Sequence, residues 1–288
     1  MARRWWRAVV CGAALWLCPF FAQGHATARP DTLVRGMDTL SNASECYADT
    51  SPLPAYYSRV HRLLVQLYDK SRTARIHALS RIQKLAERRN PYAAETIAFL
   101  RSQFPLHAAS HKAQTEYIKL AIHGYRRSAK TGDPMAAYSL GTLYDASSAL
   151  RFKAIDADAT LARKWYLIAA KQALPTAEYR LGILDQDLAV GHSPSSPEAL
   201  SARYWLFKAA SAGIVRAMDA LAASYMQTNE PVEAYSWARL ARDRGLDVGS
   251  LDPHGYPRVT AKQIDHAMQF TKRLHKVVPH CDQVYSAR

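Results

Sequence analysis

The chain has 288 residues, 49% of them apolar, so it is long and apolar enough to bury a continuous core. Glycine is scarce, at 12 residues, and no stretch alternates apolar and polar side chains for long enough to make a strand, which excludes a mainly β architecture. The formal net charge of +14 favours anionic partners.

Residues 1–28 read as a signal peptide. Met1 to Arg7 carries Arg3, Arg4 and Arg7, Ala8 to Ala22 is apolar apart from Pro19, and Ala26-Thr27-Ala28 offers a small-x-small cleavage site. The apolar run falls short of the ~20 residues a spanning helix needs, so no transmembrane span is expected once the leader is cut after Ala26 or Ala28. Val10 and Leu17 precede Cys11 and Cys18, which is not a lipoprotein box. The expected location is therefore the periplasm or the outside, and removing three arginines leaves a charge of +11. Residues 29–54 form an irregular segment. Beyond the leader, Cys46 and Cys281 are the remaining thiols. In an oxidising compartment they form one disulfide, contributing roughly 5 kcal/mol as an upper figure, or stay as two unpaired cysteines; both readings are open.

Residues 55–116 hold N-terminal helices. Tyr56, Val60, Leu63, Leu64, Leu67 and Tyr68 make one apolar stripe, and Asn90-Pro91 pairs a capping residue with a proline suited to a first helical turn. Residues 117–245 repeat themselves. Aligned on Gly132, Ala173 and Gly213, the copies place Ala136, Ala177 or Ala217 four residues later and Leu140, Leu181 or Leu221 eight later. Gly141, Gly182 or Ala222 follows, and Ala129, Ala170 or Ala210 stands three before the anchor. The anchors lie 41 and 40 residues apart, the length of one helical hairpin and its connection. Trp165, Trp205 and Trp237 share a position eight before an anchor and read as core. A degenerate copy is set on Asn90, with Ala94 and Ala98, and a shortened one ends at Gly245. The expected architecture is all-α, an α-solenoid of antiparallel hairpins in which small residues let the helices of a hairpin approach closely. Residues 246–288 form a loop and a capping helix opened by Thr260 and Gln263 as a capping box.

The segments Ala162-Arg-Lys-Trp-Tyr-Leu-Ile-Ala-Ala-Lys-Gln-Ala173 and Ala202-Arg-Tyr-Trp-Leu-Phe-Lys-Ala-Ala-Ser-Ala-Gly213, each followed by the spaced alanine and leucine, resemble Sel1-like repeats, relatives of the tetratricopeptide repeats. The resemblance covers roughly Tyr117 to Gly245. It departs from the pattern at Ala173, where a glycine is usual, and at Asp185, where the other copies have Tyr144 and Tyr225. It implies a TPR-like superhelix that binds envelope proteins, in assembly of an envelope or polysaccharide-secretion complex, without catalysis of its own.

No cofactor and no metal is expected. His107 and His111 share a helical spacing, but Ala108 stands where a metalloprotease helix has glutamate. His280-Cys281 is better explained by a structural cystine than by a nucleophile, and Asp185 and Asp187 read as solvent-facing. The densest basic groups are Arg72, Arg75, Arg81, Lys84, Arg88 and Arg89, and then Lys262, Lys272, Arg273 and Lys276; they suit solvated faces, anionic polysaccharide or lipid headgroups. Nucleic acid is not expected, because the leader removes the chain from it. The second functional reading is an envelope hydrolase or binding protein acting on anionic cell-wall or polysaccharide ligands.

Overall fold

The computed structural model describes residues 54–67, 72–103, 110–147, 155–246 and 259–278. Residues 1–28, which the sequence suggests as a signal peptide, Cys46, Cys281 and the His107 and His111 side chains lie outside the described residues. Those described are helical throughout: α1 (Ala55–Leu67), α2 (Arg72–Glu87), α3 (Pro91–Gln103), α4 (Ser110–Lys130), α5 (Pro134–Tyr144), α6 (Ala159–Ala170), α7 (Pro175–Leu188), α8 (Pro197–Ser211), α9 (Val215–Gln227), α10 (Pro231–Asp243) and α11 (Ala261–Val277). Turns of three or four residues at 88–90, 131–133, 171–174 and 212–214 join them into successive hairpins, in the order of an α-solenoid. They divide into two compact units, residues 50–172 and 173–288.

In the first unit each hairpin stacks on the next through its second helix, α3 against α4 and α5 against α6. Turn chemistry explains where the hairpins bend. Gly132 turns with φ +91° before α5, and the Asp133 side chain then accepts hydrogen bonds from the Met135 and Ala136 amides. Asn90 does the same for α3, accepting from the Ala93 amide at 2.9 Å, while its own amide donates to the Tyr56 carbonyl on α1. Asn90 therefore corresponds to Asp133 and not to Gly132. The anchor of the degenerate copy is Arg89, at φ +62°, which moves Ala93, Ile97 and Ala98 into the equivalent places and puts Ala86 and Ile82 in the core. Ala173 also takes the left-handed conformation, φ +58°, so that turn keeps the geometry of its neighbours although it lacks glycine.

Two glycines mark close seams between hairpins. A Cβ on Gly141 would lie 2.4 Å from the Tyr166 ring on α6. In the second unit a Cβ on Gly182 would lie 2.8 Å from the Leu206 side chain and 3.1 Å from its backbone nitrogen on α8. Both glycines stand nine residues after an anchor, and Tyr166 and Leu206 stand seven before the next. Large side chain and absent side chain alternate across the seam. In the next interface Ala222 and Ala238 hold the two positions, both buried. Thus the fully buried large residue is the one after the expected tryptophan: Trp165 and Trp205 are half-buried, and Trp237 alone of the three is in the core.

Of the repeat ladder, Ala129, Ala136, Leu140, Ala170, Ala177, Leu181, Ala210, Ala217 and Leu221 are buried, as are Gly141, Gly182 and Gly213, whereas Gly132 is exposed at its turn. Since Ala217 is fully enclosed, Ala217→Trp should destabilise the second unit by about 1 to 3 kcal/mol, read as a lowered melting temperature. The last hairpin closes with α11, whose Thr260 and Gln263 form the capping box. Ser236 on α10 donates to the Ala267 carbonyl, and Arg244 donates to the Val278 carbonyl at 2.7 Å, tying down the middle and the C-terminal end of α11.

Candidate functional site: the open face of the first helices

The first helix of each hairpin buries the residues eleven, seven and three before the anchor, so those thirteen, nine, six and two before it lie on the opposite, open side. What occupies that side changes along the chain. On α4 it is Lys119, His123, Arg126 and Lys130, and on α6 it is Thr160, Lys164, Leu167 and Lys171. On α8 it is Leu200, Tyr204, Phe207 and Ser211. Leu200, Tyr204 and Phe207 are 53%, 55% and 47% exposed, a row of large apolar groups left in water at helical spacing.

The α8 row is held in place from below. Lys208 Nζ sits 2.8 Å from the Glu178 carboxylate, which α7 carries in a buried position, and lies 5.2 Å over the Trp205 ring and 5.9 Å from that of Tyr204. Tyr204 meets Trp205 edge-on at 4.9 Å, and Phe207 meets the buried Trp237 edge-on at 6.0 Å. On the other flank Arg203 binds Glu230 at 3.1 Å and lies 5.3 Å over Tyr225. Burial raises the Tyr225 phenol above its usual range, while the Arg203 charge works against that rise. The aromatic rings are therefore presented with little freedom left to lose on contact.

Charge divides between the units. Residues 50–172 carry 20 lysines and arginines against 8 acids, and residues 173–288 carry 13 against 12. Hence most of the net charge of +14 belongs to the first unit. On α4 and α6 the partnering is light: Lys119 pairs with exposed Glu116 at 3.2 Å, and Arg126 donates to the Tyr144 hydroxyl at 2.9 Å. Of the basic groups singled out in the sequence, Arg81, Lys84, Arg88 and Arg89 are exposed near α2, as are Lys262, Lys272, Arg273 and Lys276 on α11; the α4 and α6 rows escape a search for charge density because their cations are spread one or two turns apart.

The buried acids act as ties between neighbouring helices. Asp185 is 1% exposed and accepts from Ser201 Oγ at 2.5 Å, which corrects its reading as solvent-facing; Asp187 is exposed. The reason is that Asp185 ends the seam between α7 and α8 and receives a hydroxyl from the next helix. Asp145 does likewise for Tyr166, accepting at 2.9 Å, and Glu95 accepts from the Tyr125 hydroxyl. Among the described residues no three His, Cys, Asp or Glu side chains gather to hold a metal, and no helix is long and apolar enough to cross a membrane.

These features define a helical-repeat protein with an open face on its hairpins. No protein-family profile matches the chain, and no curated protein matches it by sequence. Among solved structures it is similar to a protective antigen present in uropathogenic Escherichia coli strains, displaying an SLR fold, at 18% identity with a TM-score of 0.40. That alignment covers 81% of this chain and 55% of the antigen, so the chain spans about half the length of that protein.

Proposed function

We propose that the chain is a non-catalytic scaffold that grips another protein through the open face of α8. The observation that carries this reading is the exposed row Leu200, Tyr204 and Phe207, whose rings are braced by Lys208 and Trp237. Large aromatic anchors set in a fixed frame are what a protein interface uses for most of its affinity. The repeat resemblance and the leader-like first 28 residues support an envelope or exported setting, with the partner a component of an envelope assembly. The hydrolase alternative needs titratable groups converging in a pocket. Asp145, Glu178 and Asp185 are instead each engaged by a neighbouring helix.

A photo-crosslinking residue at Tyr204 of the full chain, in the native envelope, should capture one partner, whereas the same residue at exposed Leu79 on α2 should not. Once the partner is purified, Tyr204→Ala with Phe207→Ala should weaken binding at least about tenfold while the helical circular dichroism stays unchanged. Equal capture from both positions, or unchanged affinity, would remove the basis for the reading.

A further inference from the structure

We infer that the α4 and α6 faces of the first unit form a second, separate binding surface, and that its ligand is an acidic polysaccharide. This rests on different residues and a different unit from the α8 contact. Lys119, Arg126 and Lys130 on α4, and Lys164 and Lys171 on α6, lie along the same open side of consecutive hairpins, all of them exposed, with Lys130 and Lys171 at equivalent places. His123 lies in the same row and exposed Arg127 beside it. The cations recur about every 6 to 11 Å along each helix, one or two turns apart, which suits a linear polymer carrying repeated charges more than a single compact anion. Nearby acids are few: Glu116 is already paired with Lys119, and Asp158 caps α6 by accepting from the Leu161 amide.

The chemistry of the side chains narrows the class of polymer. Lysine is depleted in the cores of protein interfaces, and four of the five permanent cations in these rows are lysines. Among the described residues of α4 and α6 no large apolar side chain is fully exposed, Leu167 in the α6 row being half-buried, so these faces offer little to anchor in a bilayer or to stack on successive bases. That leaves a hydrophilic polyanion held by charge and hydrogen bonds alone. The leader-like first 28 residues support an exported setting, in which such a polymer is polysaccharide rather than nucleic acid.

The test uses the full chain with an oligogalacturonate as probe, titrated by calorimetry at two salt concentrations. Parallel titrations use neutral dextran, poly-glutamate, duplex DNA and vesicles containing anionic lipid. Wild type should bind the oligogalacturonate more tightly than any of the others, with affinity falling as salt rises. Replacing Lys119, Lys130, Lys164 and Lys171 by Gln should cut that affinity about tenfold and flatten the salt dependence, because fewer counterions are released. Replacing Lys262, Lys272 and Lys276 by Gln on α11 serves as the control and should change it less than about twofold. The inference is overturned if the four-site variant binds as wild type does, if the α11 variant loses as much, or if poly-glutamate, DNA or vesicles bind more tightly than the sugar. None of these outcomes touches the Tyr204 and Phe207 experiment, so the two readings fail independently.

Discussion

Gly141→Ala should destabilise the first unit by about 2 kcal/mol, although alanine is by itself the better helix former by about 1 kcal/mol. The added methyl would stand 2.4 Å from two atoms of the Tyr166 ring. That ring cannot swing away cheaply, because its hydroxyl is tied to Asp145 at 2.9 Å and the residue is fully buried. Either α5 and α6 move apart or the tie breaks, and both spread the strain through the seam. The partner in the collision is testable. In a Tyr166→Leu background, which shortens the side chain, the cost of Gly141→Ala should fall by at least about 1 kcal/mol, a coupling that independent sites would not show. Gly182→Ala should cost less than Gly141→Ala, since the aliphatic end of Leu206 can rotate, with only its backbone nitrogen at 3.1 Å unable to yield. Melting curves of the three variants and the double variant decide the matter. A Gly141→Ala chain that melts at or above wild type would show that the seam is looser than the contact distances require.

Much of this architecture could be read from residue spacing, because stacking hairpins imposes one demand at each position and the chain meets it repeatedly. Ala136, Ala177 and Ala217 are fully buried in three successive hairpins, as a four-residue offset from a turn predicts for the inward side of a helix. What spacing could not settle was the choice between neighbours. A tryptophan at a shared offset suggests core, yet Trp165 and Trp205 yield that place to Tyr166 and Leu206, which face the glycine of the preceding hairpin. The signal for this was present, in the alternation of Gly141 with Tyr166 and Gly182 with Leu206. It becomes visible only when the two sides of a seam are compared across repeats instead of along one helix. The anchor at Asn90 slipped by one for a related reason: Pro91 and an amide-bearing cap match Asp133-Pro134 better than they match the turn residue, and a left-handed arginine is not a residue that sequence suggests. Asp185 was misread because a lone acid near a helix end is usually solvated, and its hydroxyl donor, Ser201, lies on the next helix. The open face was legible in principle too. Once the buried positions are known, the exposed ones follow, and they separate the cationic rows of α4 and α6 from the aromatic row of α8.

The first unit should also lose stability as pH rises through the neutral range, because of one carboxyl group. Glu95 on α3 is buried, and burial pushes its pKa up from 4.5 to about 7, against the smaller opposing effect of the hydroxyl that Tyr125 donates to it. A carboxyl that binds its proton more tightly in the folded chain than in the unfolded one stabilises the fold fully below pH 4.5. That contribution drains away between 4.5 and about 7, and above this range the slope vanishes. The displacement corresponds to about 3 kcal/mol over the whole window. Tyr56 faces the same cluster, 6.4 Å from Tyr125 between ring centres, with its hydroxyl donated to Asp133 at 2.6 Å; burial and that hydrogen bond hold the Tyr56 phenol above its usual range, burial and the Glu95 carboxylate do so for Tyr125, and neither titrates here. Other groups add their own pH dependence, so the informative quantity is the difference between wild type and Glu95→Gln, measured by chemical unfolding from pH 4.5 to 8. Relative to wild type, Glu95→Gln should grow more stable as pH rises, by up to about 3 kcal/mol, with the change centred near pH 6. Tyr125→Phe supplies the second handle. Without the phenol the carboxylate loses the one hydrogen bond that favours its charge, so the window should extend to higher pH, and a window that moved down instead would show that burial is not what governs Glu95.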